Sequence, residues 1–168
     1  MTRLFTALVP DAPVLDHLVR AVTAVRGDRH TSIDKWHVTL CFHGDGDDPV
    51  ARTGWVRERL AGLAAPRIRL RSAAAFPGVL WIGVQDPDGT LAAAAEAVRW
   101  HAEGHVEHRA FTPHLTIARE RHGELDPAPL IDYEGPWWTA GEAVLFASER
   151  VGGGYRYEPL DRVRFTAR

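Results

Sequence analysis

Residues 36–42 read WHVTLCF, and residues 114–118 read HLTIA. Their apolar, β-branched and aromatic content predicts a strand for each. Both contain one pattern, His-x-Thr followed by an apolar residue, in His37-Val38-Thr39-Leu40 and His114-Leu115-Thr116-Ile117. Side chains alternate along a strand, so the histidine and the threonine of each copy share a face, about 7 Å apart. Two such strands facing one cleft predict two imidazoles and two hydroxyls around one small group, which suits acid–base chemistry on a phosphate.

A single copy of this pattern is also typical of an ordinary half-buried strand with polar residues facing solvent, because short motifs match by chance. The second copy lies at a matching point of a similar half of the chain, which favours the functional interpretation. The two copies therefore predict a weak internal duplication, with one motif strand in each half.

Length and composition predict an ordinary globular protein. The chain has 168 residues, 45% hydrophobic and 25% charged, which fits one domain or two fused lobes. The formal net charge of −2 argues against a protein that coats long nucleic acid through bulk electrostatics. The single cysteine, Cys41, excludes an internal disulfide and a cysteine-based zinc site. No apolar run is long enough for a membrane span, and a strand at Arg3 leaves no room for a signal peptide, so we expect a cytoplasmic protein.

Hydrophobic periodicity and turn residues divide the chain into elements. Helices are predicted at about 12–25, 50–63 and 90–102, with a long loop over 120–136 and strands at 3–9, 36–42, 67–72, 79–84, 114–119, 142–149 and 155–163. This order predicts an α+β fold, a two-lobed, duplicated strand-helix-strand architecture in which antiparallel sheets line a central cleft and the helices lie outside. We expect a single domain over 1–168, with lobe 1 at about 1–75 and lobe 2 at about 76–168, and with terminal strands exchanged between the lobes as a variant of this plan.

The motifs and their surroundings resemble the 2H phosphoesterase superfamily, in particular the RNA 2′,3′-cyclic phosphodiesterases, also called 2′-5′ RNA ligases. The resemblance covers nearly the whole chain, through RLFTAL, WHVTLCFHG, AFPGVLWIGV, FTPHLTIAR and AVLFASERVGGGYRYEPL. It implies two lobes around a concave cleft, one motif from each at its floor, and a reaction that needs no metal or other cofactor. The family often has Phe-Leu-Gly after the first motif. Here Phe42-His43-Gly44 replaces it, which bears on substrate specificity more than on the chemistry.

The resemblance also implies a reaction. Hydrolysis of an RNA 2′,3′-cyclic phosphate end needs an activated water and a proton for the departing ribose oxygen, and a neutral imidazole with an imidazolium supplies both. By resemblance His37 is the proton donor to the 3′ oxygen, His114 is the proton acceptor from water, and the product is a 2′-phosphate. The residues alone leave the two roles interchangeable. Thr39 and Thr116 are expected to donate hydrogen bonds to the non-bridging phosphate oxygens.

Further residues are candidates for substrate binding. Arg119 lies just beyond the second motif and is the best candidate for a cationic clamp on phosphate, with a solvated strand end as the equal alternative. Phe42 is a candidate for stacking on a base, although its strand parity matches the apolar residues of the motif and favours a core position. Lys35, the single lysine among 20 basic residues, shares the parity of His37 and is expected to be solvent-exposed. For Trp137-Trp138 half-buried packing is expected, with base stacking as the alternative.

Other histidines carry weaker signals. The segment HAEGHVEH places His101, His105 and His108 at metal-binding spacing, but Gly104 stands where a zincin-type helix carries its catalytic Glu, which disfavours a zinc site. His43 shares the parity of the motif histidine and threonine. A metal between these residues is conceivable, but we expect His43 to start a turn.

The leading hypothesis is a metal-independent phosphodiesterase that acts on RNA 2′,3′-cyclic phosphate ends as a monomer, without an obligate protein partner. The alternatives are an enzyme of small cyclic nucleotides or of reversible 2′-5′ RNA ligation and, less favoured, a non-catalytic RNA-end binder, which has no need of two titratable groups. A metal-dependent hydrolase built on His101 and His105 is a further hypothesis. ATP-dependent ligation is disfavoured because Lys35 stands in no adenylation motif.

Overall fold

The computed structural model describes residues 2–100, 110–123 and 125–166. Within them, three helices are α1 (Ala12–Arg26), α2 (Pro49–Leu60) and α3 (Thr90–Ala97). The strands of the same residues are β1 (Arg3–Leu8), β2 (Val38–Asp45), β3 (Arg67–Phe76), β4 (Val79–Gln85), β5 (His114–Arg119), β6 (Trp138–Thr139), β7 (Glu142–Val151) and β8 (Gly154–Arg164). None of the described helices combines the length and the apolar character that crossing a membrane requires.

The strands form one sheet in the order β6-β3-β4-β5-β2-β1-β7-β8, and all neighbouring strands are antiparallel. The predicted α+β fold, with antiparallel strands and helices outside, is confirmed. The two sheets expected from the sequence are the two halves of this single sheet.

The helices cover one face of the sheet. Val38 and Leu40 of β2 and Leu115 and Ile117 of β5 are all buried on that face. They belong to one core with the apolar stripes of the helices, which are formed by Val14, Leu18, Val22, Val56, Leu60, Leu91, Ala94 and Ala95. Each fully buried side chain of valine or leucine size stabilises the fold by about 1.5–3 kcal/mol. This packing leaves the opposite face of the sheet, which we term the cleft face, for the polar residues of the motifs.

The two halves of the sheet meet between β2 and β5. One half holds β2, β1, β7 and β8, and the other holds β5, β4, β3 and β6. The two halves of the sheet are therefore not the two halves of the chain, because β3 lies with the later strands and β7 and β8 lie beside β1. The lobe boundary near residue 75 stays a prediction.

Tertiary contacts shift several element ends from their predicted positions. α3 ends at Ala97, not near residue 102. Beyond α3, the guanidinium carbon of Arg52 lies 3.5 Å from the centroid of the Trp100 ring. The backbone carbonyl oxygen of Trp100 lies 2.9 Å from Nδ1 of His43. The sequence did not predict β6, a two-residue strand that pairs with the start of β3.

β3 also runs further than predicted, to Phe76, because it contains a bulge. Ser72 adopts a positive φ of 64°, and the register of β3 against β4 shifts between Arg71 and Ala73. The amide of Ser72 donates to the carbonyl oxygen of Tyr133 at 2.8 Å, so the bulged residue keeps a backbone hydrogen bond. The extra residue breaks the clean alternation on which the shorter prediction depended.

Candidate active site

The two motif strands lie side by side at the centre of the sheet. β2 and β5 are antiparallel neighbours, and Val38 of one motif pairs with Leu115 of the other. In this register His37 falls opposite Thr116, and Thr39 falls opposite His114. The Cβ atoms of opposed residues are typically about 4.5–5.5 Å apart. The predicted cluster of two imidazoles and two hydroxyls is thus brought together on the cleft face, with a local twofold relation between the two motifs.

Each imidazole is held by the same backbone hydrogen bond. Nδ1 of His37 lies 2.7 Å from the carbonyl oxygen of Lys35, and Nδ1 of His114 lies 2.8 Å from that of Thr112. A carbonyl oxygen only accepts, so both Nδ1 atoms carry hydrogen and donate. This bond fixes the tautomer and leaves Nε2 of each ring for chemistry. Nε2 of His37 lies 2.9 Å from Oγ1 of Thr39, whose hydroxyl donates to it when the ring is neutral.

Aromatic side chains enclose His37. Its ring centroid lies 5.0 Å from that of Phe5, 5.6 Å from that of Tyr157 and 6.4 Å from that of Phe146. Phe5 in turn contacts both other rings, at 5.1 Å each. Sequence reasoning missed these three residues, since they come from β1, β7 and β8 and no local pattern marks them as neighbours of the motif.

This enclosure lowers the pKa of His37 from its ordinary 6.5 to about 4. Desolvation by burial is the largest cause, because a low-dielectric surrounding disfavours the charged ring. The hydrogen bond to the Lys35 carbonyl acts in the opposite direction, and the positive charges of His114 and Arg119 lower the pKa further. His37 is therefore neutral at neutral pH in the free protein.

The surroundings of His114 are different. Its ring contacts Trp81 at 5.5 Å and Phe76 at 5.6 Å, both from the half-sheet to which His114 itself belongs. Trp81 pairs with Thr116 and Gly83 pairs with His114 across β4 and β5. The second motif thus has two aromatic rings and, at Gly83, a residue without a side chain among its neighbours in β3 and β4.

Each motif contains a β-bulge at its fourth and last residue. The pairing of β2 with β1 skips Leu40, and the pairing of β5 with β4 skips Ile117. An extra unpaired residue reverses the direction of the side chains that follow. Phe42 and Arg119, at the same offset from the two motifs, therefore both turn to the cleft face.

The bulge at Leu40 corrects two sequence expectations. Phe42 is not a core residue, since it pairs with Phe5 on the cleft face, contacts that ring at 5.7 Å and is 55% exposed. His43 neither shares the face of His37 nor starts a turn, because it is fully buried on the helix side within β2. There its Nε2 lies 2.8 Å from Oγ1 of Thr6.

The predicted cations lie near the site in different ways. Arg119 is exposed at the end of β5, and its charge acts on both His37 and Tyr157. Lys35 is half-buried, not freely exposed as expected, and its Nζ lies 5.8 Å above the Tyr157 ring. Burial raises the pKa of Tyr157, so its hydroxyl stays protonated beside these cations.

Metal ligation finds no support in the part of the chain that the structure describes, where no group of three or more His, Cys, Asp and Glu side chains is placed to hold an ion. His101, His105 and His108 lie outside the described residues, so the zinc hypothesis built on them stays untested.

Comparison with known families agrees with this geometry. A family model described as the 2′-5′ RNA ligase superfamily matches residues 10–133, a stretch that includes both motifs. The chain belongs to this superfamily. The resemblance predicted from the motifs is thereby confirmed, and this member of the 2′-5′ RNA ligase superfamily carries both histidine motifs intact.

Individual relatives extend the comparison. An RNA 2′,3′-cyclic phosphodiesterase of Aeropyrum pernix is 33% identical over 105 residues, which are 56% of this chain and 58% of that protein. The crystal structure of TT0787 of Thermus thermophilus superimposes with a TM-score of 0.76 at 27% identity, over 98% of both chains. Escherichia coli LigT in apo form gives 0.74 at 22% identity, over 97% of this chain and 96% of LigT. LigT shares the fold, and a LigT crystal structure with 3′-AMP has the same fold at a TM-score of 0.70.

Proposed function

We propose that the protein hydrolyses RNA 2′,3′-cyclic phosphate ends to 2′-phosphates, with His37 and His114 as an acid–base pair and without a metal ion. The observation that carries the proposal is the matched pair of imidazoles, each fixed through Nδ1, on two strands paired at Val38 and Leu115. Membership of the 2′-5′ RNA ligase superfamily and the activity named for the Aeropyrum pernix relative support it. We further propose that the protein acts as a monomer, because one chain supplies both motifs. We also propose that it acts in the cytoplasm.

The reaction follows from the free Nε2 atoms. Water attacks phosphorus while Nε2 of His114 accepts its proton. The bond from phosphorus to the 3′ oxygen breaks, and the Nε2 hydrogen of His37 passes to that oxygen, so a 2′-phosphate and a 3′-hydroxyl result. Each proton transfer contributes roughly 10²–10⁴-fold to the rate. After the reaction the proton on His114 returns to solvent, and His37, left neutral, takes up a proton again when the next substrate binds.

The low pKa of His37 requires that the substrate itself load the proton donor. Raising that pKa from about 4 to neutrality needs about 4 kcal/mol, since one unit corresponds to about 1.4 kcal/mol. An anionic phosphate about 4 Å from the ring supplies about 4 kcal/mol at an effective dielectric constant of about 20. The attraction of a bound phosphate is thus of the same size as the cost of placing a proton on His37. A donor charged only in the complex avoids repulsion from Arg119 in the free protein.

The two threonines are proposed to stabilise the charge that develops on phosphorus. Oγ1 of Thr39 lies against Nε2 of His37 in the free protein. When that nitrogen becomes a donor, the hydroxyl is released to donate to a non-bridging oxygen. Thr116, opposite His37 in the register, is proposed to donate to the other non-bridging oxygen.

Arg119 and Phe42 are proposed as substrate-binding residues at the two ends of the motif pair. The equivalent bulges turn both to the cleft face. A guanidinium at one end suits a phosphate oxygen, and an exposed phenyl ring at the other suits a base. This division fits a nucleotide end that has both a phosphate and a base.

The test is incubation of the protein, in the presence of EDTA, with a short RNA that ends in a 2′,3′-cyclic phosphate, with the product identified by phosphorus NMR. We expect a 2′-phosphate from the wild type and none from His37→Ala or His114→Ala. The matched control is His122→Ala, an exposed histidine outside both motifs, which should retain activity. Full activity in either motif variant, or inhibition by EDTA, contradicts the proposal. A 3′-phosphate product would keep the pair and reverse the leaving oxygen.

A further inference from the structure

A row of residues crosses the cleft face from the active site to the edge of the sheet. Pairing of β5 with β4 places Gly83 beside His114, and pairing of β4 with β3 places Arg71 beside Gly83. Paired residues share a face, so Arg71 lies on the same side of the sheet as His114, about 10 Å away across two strands. Only Gly83 stands between them. A Cβ there would lie 2.7 Å from the Arg71 carbonyl oxygen, so a larger residue does not fit.

Arg71 belongs to an alternating stretch of β3. Arg67, Arg69 and Arg71 point to the cleft face, while Ile68 and Leu70 are fully buried on the other. Trp137 lies beside them, with the guanidinium carbons of Arg67 and Arg69 at 4.5 and 4.7 Å from its ring. We name these four residues, Arg67, Arg69, Arg71 and Trp137, the arginine edge. It combines cations with a flat ring, the two features that single-stranded nucleic acid contacts.

The charge of the arginine edge is only partly neutralised. In the described chain its ion pairs involve one carboxylate, that of Glu134, at 3.5 Å from Arg69 and 3.4 Å from Arg71. Three arginines in the other half-sheet each pair with a carboxylate of their own, as Arg3–Asp45, Arg156–Glu149 and Arg162–Glu142. The arginine edge therefore holds a surplus of positive charge in a protein whose net charge is −2, and this surplus is continuous with the active site.

We propose that the arginine edge binds the RNA strand that leads into the active site, on the 5′ side of the terminal cyclic phosphate. The inference rests on the proposed function and deepens it, because it makes an oligoribonucleotide, not a cyclic mononucleotide, the preferred substrate. Arg71 meets the phosphate nearest the site, Arg69 and Arg67 meet phosphates further along, and a base stacks on the exposed part of Trp137.

The first experiment compares a 2′,3′-cyclic mononucleotide with a short oligoribonucleotide that ends in the same cyclic nucleotide. Arg71→Gln keeps most of the length of the side chain and removes its charge. We expect the ratio of kcat/KM on the oligonucleotide to kcat/KM on the mononucleotide to fall about tenfold, a factor that corresponds to the loss of one phosphate contact of about 1.4 kcal/mol. The salt dependence of oligonucleotide binding should weaken by about 0.7 in logarithmic slope. Arg156→Gln, an exposed arginine with its own carboxylate, is the matched control and should leave the ratio unchanged.

A variant that is expected to bind the oligonucleotide more tightly excludes misfolding as the explanation of the loss in Arg71→Gln. Glu134→Gln removes the carboxylate that Arg69 and Arg71 share, so it should raise the affinity for the oligonucleotide several-fold, as measured by fluorescence anisotropy. An unchanged or lower affinity overturns the inference. So does a wild-type protein that acts equally on both substrates with equal salt dependence.

Binding also separates this inference from the proposed function. An oligoribonucleotide with a 2′-phosphate end can be bound without turnover. If the wild type hydrolyses no cyclic phosphate, the proposed function fails. In that case the arginine edge stands only if this RNA binds and Arg71→Gln weakens the binding.

Discussion

The two motifs share one backbone design and differ in what surrounds it. Both histidines donate through Nδ1 to the carbonyl two residues upstream, and both motifs end in a bulge. The histidine of the first motif contacts three aromatic rings, whereas that of the second contacts two, Trp81 and Phe76, and also lies beside Gly83 and the arginine edge. The comparison teaches that a duplicated strand fixes the tautomer and the direction of both imidazoles, while residues from other strands decide what surrounds each ring and, at His37, lower its pKa.

The largest expected effect tests whether the two imidazoles act as a pair. His37→Ala and His114→Ala should each lower the rate of the chemical step by roughly 10²–10⁴-fold. The double variant should be about as slow as the slower single variant, because groups that act as a unit are not additive. Single-turnover hydrolysis of the cyclic phosphate measures all three. If the rate loss of the double variant equalled the product of the two single losses, the two imidazoles would act independently.

The second prediction concerns the pH dependence of stability, which should differ between variants of His37 and variants of His114. His37 has a pKa of about 4 when folded and 6.5 when unfolded. Above pH 6.5 the ring is neutral in both states, and below that value the unfolded chain takes up the proton first. The free energy of unfolding should therefore fall by about 3 kcal/mol between pH 7 and pH 4 on account of this ring.

Urea unfolding at several pH values measures this slope. His37→Gln should remove that part of the fall, and His114→Gln should leave most of it in place. An identical pH dependence in the wild type and His37→Gln would show that the aromatic rings do not suppress the charged form.

The smallest expected effect compares the two residues that follow the bulges. Arg119→Gln removes a positive charge that lowers the pKa of His37, so that pKa should rise, and kcat/KM should fall about tenfold with the lost phosphate contact. Phe42→Leu removes no charge and should leave the pKa of His37 where it is. NMR titration of the histidine rings follows the pKa in each variant. A shift of equal size in both would mean that packing, and not charge, connects these positions to His37.

Strand periodicity explains what could be predicted of this site. Alternation along WHVTLCF and HLTIA correctly placed each histidine with its threonine, and the bounds of β5 were predicted as the structure has them. The same alternation failed at Phe42 and His43, because a bulge depends on the strand paired alongside and not on local sequence. One feature of the sequence could have indicated the true direction of Phe42. Phe42 and Arg119 stand at the same offset from the two motif histidines, so an equivalent bulge in each motif turns both side chains to the same face.

The aromatic enclosure was beyond local reasoning for a different reason. Phe5, Phe146 and Tyr157 meet His37 because β1 pairs with both β2 and β7, and β8 pairs with β7. Periodicity predicts each strand but not its neighbours, since pairing over long sequence separations is set by the whole fold. The direct pairing of the two motif strands is a contact of the same kind, and motif spacing alone did not predict it.

The order of the strands in the sheet also governs when the site is completed during synthesis. Both motifs are translated before β7 and β8, yet those two strands supply Phe146 and Tyr157. A nascent chain that has just released β5 from the ribosome already holds both imidazoles, but it lacks two of the three aromatic rings that surround His37. The final hairpin to emerge completes the aromatic enclosure, so the low pKa of the first motif's histidine depends on strands that are made after both motifs.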